Sequence, residues 1–154
     1  MPTVIRPLED HRPATEQDVQ GLEMALAAVL PDDYRQFLLD HNGGYPEPPG
    51  FVGGCEAVNS FFGFCQKHHC LWCHYYMCRT TLPDTVIPIG GDAFGNYVCL
   101  AVRKPDSGSV YFWDHEAGGS GNLILLDKSF SAFLSSLCEV PPLPPDMKGG
   151  VSDT

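Results

Sequence analysis

The most chemically loaded stretch of the chain is Cys65-Gln66-Lys67-His68-His69-Cys70-Leu71-Trp72-Cys73-His74-Tyr75-Tyr76-Met77-Cys78. Four thiols and three imidazoles crowd into one short span, and thiolate and imidazole are the ligands zinc prefers. A loop bearing C-x4-C-x2-C-x4-C could surround one tetrahedral ion. The spacing speaks against that. Structural zinc sites usually pair two close ligands with two more about a dozen or more residues away. Here all four thiols are local, and no other Cys-x-x-Cys pair completes a set. The same residues fit an amphipathic helix. Leu71, Tyr75 and Cys78 share a face at helical spacing, with Leu82 beyond them, and Cys serves there as a small buried hydrophobe. The helix is the reading adopted, with no cofactor. Cys65, Cys70, Cys73 and Cys78 as a zinc-binding or redox set is the alternative.

Other residue types capable of chemistry form no set. Asp114-His115-Glu116 closes a strand and suggests acid–base work, but no nucleophile can be nominated beside it, and charged groups crowd strand ends as a solvated rim. Gly90-Gly91 follows a strand without a G-x-G-x-x-G pattern or a Walker lysine. Gly108-Ser109-Val110 is a turn and lacks the G-x-S-x-G context of a hydrolase serine. An enzyme is therefore the least supported class. Asp92 and Asn96 serve their turn through side-chain bonds to backbone and tolerance of left-handed φ.

These residues must be positioned by the stretch from Val86 to His115. Val86-Ile87-Pro88-Ile89, Tyr97 to Val102 and Val110 to Trp113 are rich in the residues that suit a pleated, half-buried surface. The turns Gly90 to Asn96 and Pro105 to Gly108 join them into an antiparallel meander. Alternation puts Tyr111 and Trp113 on one face and Phe112 on the other.

The rest of the chain supplies layers for that sheet. Thr3-Val4-Ile5 is a short edge segment. Thr15 caps a helix whose stripe is Val19, Leu22, Leu26, Val29 and Leu30, ended by Pro31. Asp32 caps a second helix, Asp33 to about His41, with Tyr34, Phe37, Leu38 and His41 on its apolar face and Asn42-Gly43-Gly44 closing it. The Pro- and Gly-rich run from Tyr45 to Gly54 reads as loop, and Val58 to Phe64 as a strand. Glu116 to Gly121 is a glycine-rich flexible loop. Leu123 to Leu126 is a last strand or a buried segment. Asp127 or Ser129 caps a final helix with Phe130, Phe133, Leu134 and Leu137 on one face. The expected organisation is one α+β domain over residues 1–140 and a proline-rich mobile tail over 141–154.

Composition narrows the class. The 154 residues are long enough to bury a real core. No run approaches the ~18 apolar residues needed to span a bilayer, and the N-terminal residues lack the apolar core of a signal peptide, so the expected location is the cytoplasm. Seven cysteines, an odd number, argue against a complete disulfide framework, and reduced thiols follow from the expected compartment. Nineteen acidic residues against nine basic ones give a net charge of -10. That repels nucleic acid and anionic membranes and speeds encounter with basic proteins.

Several strings, in order, carry a resemblance. Leu30-Pro31-Asp32-Asp33-Tyr34-Arg35-Gln36-Phe37-Leu38 followed by His41-Asn42-Gly43-Gly44 resembles the helix-to-loop signature of the SUKH superfamily. Val86 to Asp92, Phe94-Gly95-Asn96 and Gly108 to His115 resemble its central strands, and Ser129 to Leu134 its closing helix. The resemblance spans about Thr15 to Leu137. It implies an α+β fold, with a mixed or mainly antiparallel sheet flanked by an N-terminal helical hairpin, a middle helix and a C-terminal helix. The Cys/His stretch and the proline-rich tail fall outside the family pattern. The superfamily includes fungal cell-wall-synthesis regulators and small bacterial proteins similar to immunity proteins, which neutralise toxins, often nucleases.

The expected function is thus non-enzymatic: an immunity protein that binds a cognate toxin through exposed loop groups. The expected contacts, from charge and loop placement, are Glu47, Glu56, Asp92, Asp114, His115 and Glu116, and the expected partner is a toxin protein with a basic surface. The alternatives are a regulatory scaffold resembling the fungal members, or the metal- or redox-responsive role of the cysteine set.

Overall fold

The computed structural model describes residues 3–64, 67–117 and 122–142. Val4–Arg6 (β1) pairs antiparallel with Tyr45–Glu47 (β2). Between them lies the helical hairpin. Glu16–Leu26 (α1) starts on Thr15, whose hydroxyl accepts the Asp18 N–H at 3.2 Å while the Asp18 carboxylate accepts the Thr15 N–H at 2.8 Å. Two otherwise orphaned donors are thereby satisfied. Arg12, 2.8 Å from Asp18, holds that carboxyl below its usual range.

Two helix boundaries differ from expectation. α1 stops at Leu26 and does not run to Leu30. Ala27 turns left-handed with a φ of 52°, and Val29 is 75% exposed. The cause is the short link to the next helix. Leu30 enters the core after the chain turns, with its N–H held by the Glu23 carboxylate at 2.8 Å. The exposed end of α1 is then capped from elsewhere, by Arg103, whose guanidinium donates to the Leu26 carbonyl at 2.6 Å. In the second helix, Asp32–His41 (α2), the capping position is Pro31, and Asp32 and Asp33 occupy the first turn, where their charge suits the positive end of the dipole. Asp33 also accepts the Ser131 N–H at 2.9 Å, tying the hairpin to the last helix.

The stretch expected as loop contains strands. Besides β2, Gly50–Phe51 (β3) pairs with Glu56–Ala57 (β4). Proline and glycine content describes local backbone preference, whereas β2 is made a strand by β1, a partner far back in the chain. The expected strand from Val58 to Phe64 is regular only at Ser60–Phe61 (β5). Leu71–Met77 (α3) follows. Then come Val86–Gly91 (β6), Tyr97–Ala101 (β7), Val110–Trp113 (β8) and Leu123–Asp127 (β9). Phe130–Ser136 (α4), capped by the Ser129 hydroxyl, completes the order.

The five strands β5-β6-β7-β8-β9 form one antiparallel sheet in that order. Pairs such as Ile87 with Leu100 and Leu100 with Val110 fix the register. Because side chains alternate, the sheet has two apolar faces. Ile87, Ile89, Val98, Leu100, Val110 and Phe112 face the main core with α1, α2 and α4. Val86, Tyr97, Cys99, Ala101, Tyr111 and Trp113 face the other side, where Cys78 and Leu82 pack against them. The expected split of Tyr111 and Trp113 from Phe112 is observed. β9 is an edge strand with Ile124 and Leu125 exposed, so the apolar run there is half-buried. Among the described residues no helix is long and apolar enough to cross a membrane. After α4, Cys138 and Gly50 exchange both backbone hydrogen bonds, 2.7 and 2.8 Å. The expected tail lies outside the described residues beyond Pro142.

The main core depends on one polar joint. Asn42 is 2% exposed and ends α2 in the left-handed region. Its amide oxygen accepts the Phe64 N–H at 2.6 Å, and its amide nitrogen donates to the Arg12 carbonyl at 2.8 Å and the Phe64 carbonyl at 3.3 Å. The strand side meets it with Gly63, where a Cβ would lie 2.0 Å from the Asn42 carbonyl oxygen. Replacing Asn42 by Ala leaves buried backbone groups unpaired and strains the left-handed turn, so N42A should lose about 2–4 kcal/mol in urea unfolding. N42G keeps the turn conformation and should lose less.

In the same core, the Tyr34 hydroxyl is buried with no hydrogen-bond partner among the described residues, and burial alone drives its pKa far up. The ring packs edge-on against Phe130 at 5.2 Å. Tyr34→Phe keeps that packing and removes the unpaired group, so it should stabilise the protein by about 1 kcal/mol in the same unfolding assay.

Candidate functional site

The turn between β6 and β7 is built around one carboxylate. Asp92 accepts from the Phe94 N–H at 2.8 Å, the Asn96 N–H at 3.0 Å and the Asn96 amide at 2.8 Å. Short polar side chains favour such turns because they bond their own backbone. Gly95 supplies the positive φ of 92° that the turn requires. Asn96 then holds the end of β8, since its amide oxygen accepts from the His115 N–H at 3.0 Å and from His115 Nδ1 at 2.7 Å. That assigns the Nδ1 proton to this imidazole. Asp114 accepts the Glu116 N–H at 3.0 Å and starts a single 3-10 turn, His115–Ala117. The β6–β7 turn and the end of β8 are thus joined through Asn96 into one tip, while residues 118–121 of the expected glycine-rich loop lie outside the described residues.

Phe94 stands on that tip, 75% exposed. Acidic groups gather at the same tip. Glu56, on β4, has its carboxyl pushed up first by burial and then by the negative charges of Asp92 and Asp114. Of the expected contact residues, Glu56, Asp92, Asp114, His115 and Glu116 therefore come together. Asp92 is committed to holding the turn. Glu47 stands apart, 2.6 Å from Arg6 across the β1–β2 ribbon, on the far side of a cleft it shares with Ala93.

The histidine-rich segment forms a second polar region. His69 bonds Ser60 Oγ through Nδ1 at 2.7 Å and the Tyr45 hydroxyl through Nε2 at 3.2 Å, and Tyr45 in turn donates to Glu9. Both ring nitrogens are engaged, and the imidazole ties β2 to β5. His74 stacks on Phe62 with centroids 3.9 Å apart. Its Nε2 donates to the His68 carbonyl at 2.9 Å, so Nδ1 accepts from the Tyr97 hydroxyl at 2.9 Å. Burial lowers the His74 pKa, in keeping with this neutral form. Ser60, His68, His69, His74 and Tyr97 line a cleft of about 240 Å³.

Cys70 and Cys78 are buried at the two ends of α3, as the helical reading expects, whereas Cys73 within it is exposed. Leu71 and Cys78 are buried, Tyr75 is half-buried, and Leu82 continues their face. Among the described residues no three His, Cys, Asp or Glu side chains come together as metal ligands. Cys65 lies outside the described residues. The Phe94 tip was missed by sequence reasoning, although an aromatic inside an Asp-x-x-Gly-Asn turn is the signal that could have marked it.

Comparison with known proteins bears on this geometry. The model of the SMI1 / KNR4 family (SUKH-1) matches residues 13–136. The chain is also similar to the SPbeta prophage-derived uncharacterized protein YokK of Bacillus subtilis (strain 168). The two are 27% identical over 149 residues, covering 82% of this chain and 76% of the relative.

The tip carries a pH signature. Because the Glu56 pKa is raised on folding, the folded protein holds this proton more tightly than the unfolded chain. The contribution of Glu56 to stability therefore falls as pH rises from the unfolded to the folded pKa. Carboxyl-carbon NMR should show Glu56 titrating above an ordinary glutamate. In D114N the midpoint should move down yet stay elevated, because burial, the larger cause, is untouched.

Proposed function

This chain belongs to the SMI1 / KNR4 family (SUKH-1), and from that premise we propose that it is a non-enzymatic immunity protein that binds and neutralises a cognate bacterial toxin in the cytoplasm. The observation that carries the proposal is the hydrogen-bonded acidic tip with an exposed phenylalanine in its turn. A toxin that cuts nucleic acid is basic where it holds phosphate, and Glu56, Asp114 and Glu116 complement such a surface. Phe94 supplies the aromatic anchor that interfaces concentrate their energy on. The turn is already ordered, so little conformational entropy is lost when it docks. The net charge of -10 accelerates encounter with a cationic partner. The prophage-derived relative fits a gene that travels with a toxin.

The test is a calorimetric titration against the toxin encoded beside this gene, with protection of cells expressing that toxin as the second readout. Tight binding that weakens as salt rises, together with protection, is the expected result. F94A should weaken binding at least about 10-fold. The double variant D114K/E116K should slow association more than it speeds dissociation. Absence of both binding and protection overturns the proposal, and full affinity in F94A and D114K/E116K removes the tip from it.

A further inference from the structure

We propose that Cys70 and Cys73 are a redox pair that closes to an intrachain disulfide by exchange with a small glutathione-type disulfide and reopens with thiol. Cys70 and Cys73 share the first turn of α3. Cys70 caps α3, and its Sγ accepts the Cys73 N–H at 3.4 Å. Cys70 is held in place by its surroundings. Its N–H reaches the Lys67 carbonyl at 3.1 Å, the adjoining Leu71 N–H reaches the Gly63 carbonyl at 2.8 Å, and the Gly63 N–H reaches the His69 carbonyl at 3.0 Å. Cys70 is 5% exposed, whereas Cys73 is open to solvent. One sulfur can therefore be reached by an oxidant and the other waits behind it.

The neighbouring thiols lack this arrangement. Cys78 and Cys99 lie on the covered face of the sheet, and burial pushes both of their pKa values up, the condition that makes a thiol inert. Contact with Cys70 also lifts the Cys73 thiol. The exchange should therefore quicken as pH rises above neutrality, in step with the thiolate fraction.

The exchange balances without any further reagent. The Cys73 thiolate attacks one sulfur of glutathione disulfide, forming a mixed disulfide and releasing one glutathione. Cys70 sulfur then attacks Cys73 sulfur and releases the second. The two protein thiols lose two electrons and two protons, and both protons end on the two glutathiones. The product is a covalent staple across the first turn of α3, the helix that displays Trp72 stacked on Tyr76 at 5.8 Å.

Mass spectrometry of the full chain reads this out directly. The protein is equilibrated in glutathione buffers of graded poise, quenched in acid, alkylated and cleaved at Lys67 and Arg79, which bracket Cys70, Cys73 and Cys78 in one peptide. In oxidising buffer the peptide should lose two hydrogens and keep one label, on Cys78, and dithiothreitol should restore three labels. C73S should abolish the loss, C70S should stop at a glutathione adduct on Cys73, and C65S should behave as wild type. Circular dichroism checks that each variant is folded. Should C70S not fold, the wild-type mapping and C73S decide alone. Three labels at every poise, a bond mapped to Cys65 or Cys78, or a glutathione adduct persisting in the wild type overturns the proposal.

Discussion

The buried amide of Asn42 is the constraint on which the rest of the molecule depends. It sits where the helical hairpin, the N-terminal segment and the strand region around Phe64 meet, and it satisfies backbone groups of the last two at once. A buried polar group is costly unless its bonds are complete, and then it specifies one arrangement over its rivals. Here the arrangement needs a left-handed residue at the end of α2 and a residue without a side chain at Gly63. With that joint in place, α2 can lie over the sheet with Tyr34, Phe37 and Leu38 inward, and the aromatic cluster of Phe37, Phe61 and Phe130 assembles around it.

Much of this architecture was legible because it is local. The meander shows as three runs of strand-forming residues with turn residues between them, and each strand pairs with its neighbour in sequence. Thr15 and Ser129 announce helix starts that the structure observes. What failed to show was decided by residues far apart. Nothing near Tyr45 announces that β1 will pair with it, and nothing near Leu26 announces that Arg103 will cap the helix end there. Val29 matched the helical stripe in spacing, yet the chain had to turn before it for Leu30 to reach the core.

The candidate site divides along the same line. Asp92 and Asn96 were readable as turn residues, and the bonds they make are local ones. That Glu56 joins Asp92 and Asp114 was invisible, since β4 is brought to the tip by tertiary packing. The same holds for His69, whose partners Ser60 and Tyr45 lie on two different sheets. Phe94 could be taken for a core residue by type, yet it stands exposed on the Asp92 turn.

The position of α4 bears on how the chain is made. Phe130 and Phe133 are fully buried against α2 and the sheet, yet they are encoded after most of that core. Neighbouring strands can pair as they emerge, since contacts close in sequence form quickly. The apolar face of α2 meets α1 and Phe61 early but is completed only by Phe130. During synthesis Tyr34 and Phe37 stay partly uncovered until residues 130–136 leave the ribosome, an interval in which a nascent chain of this design is exposed to aggregation.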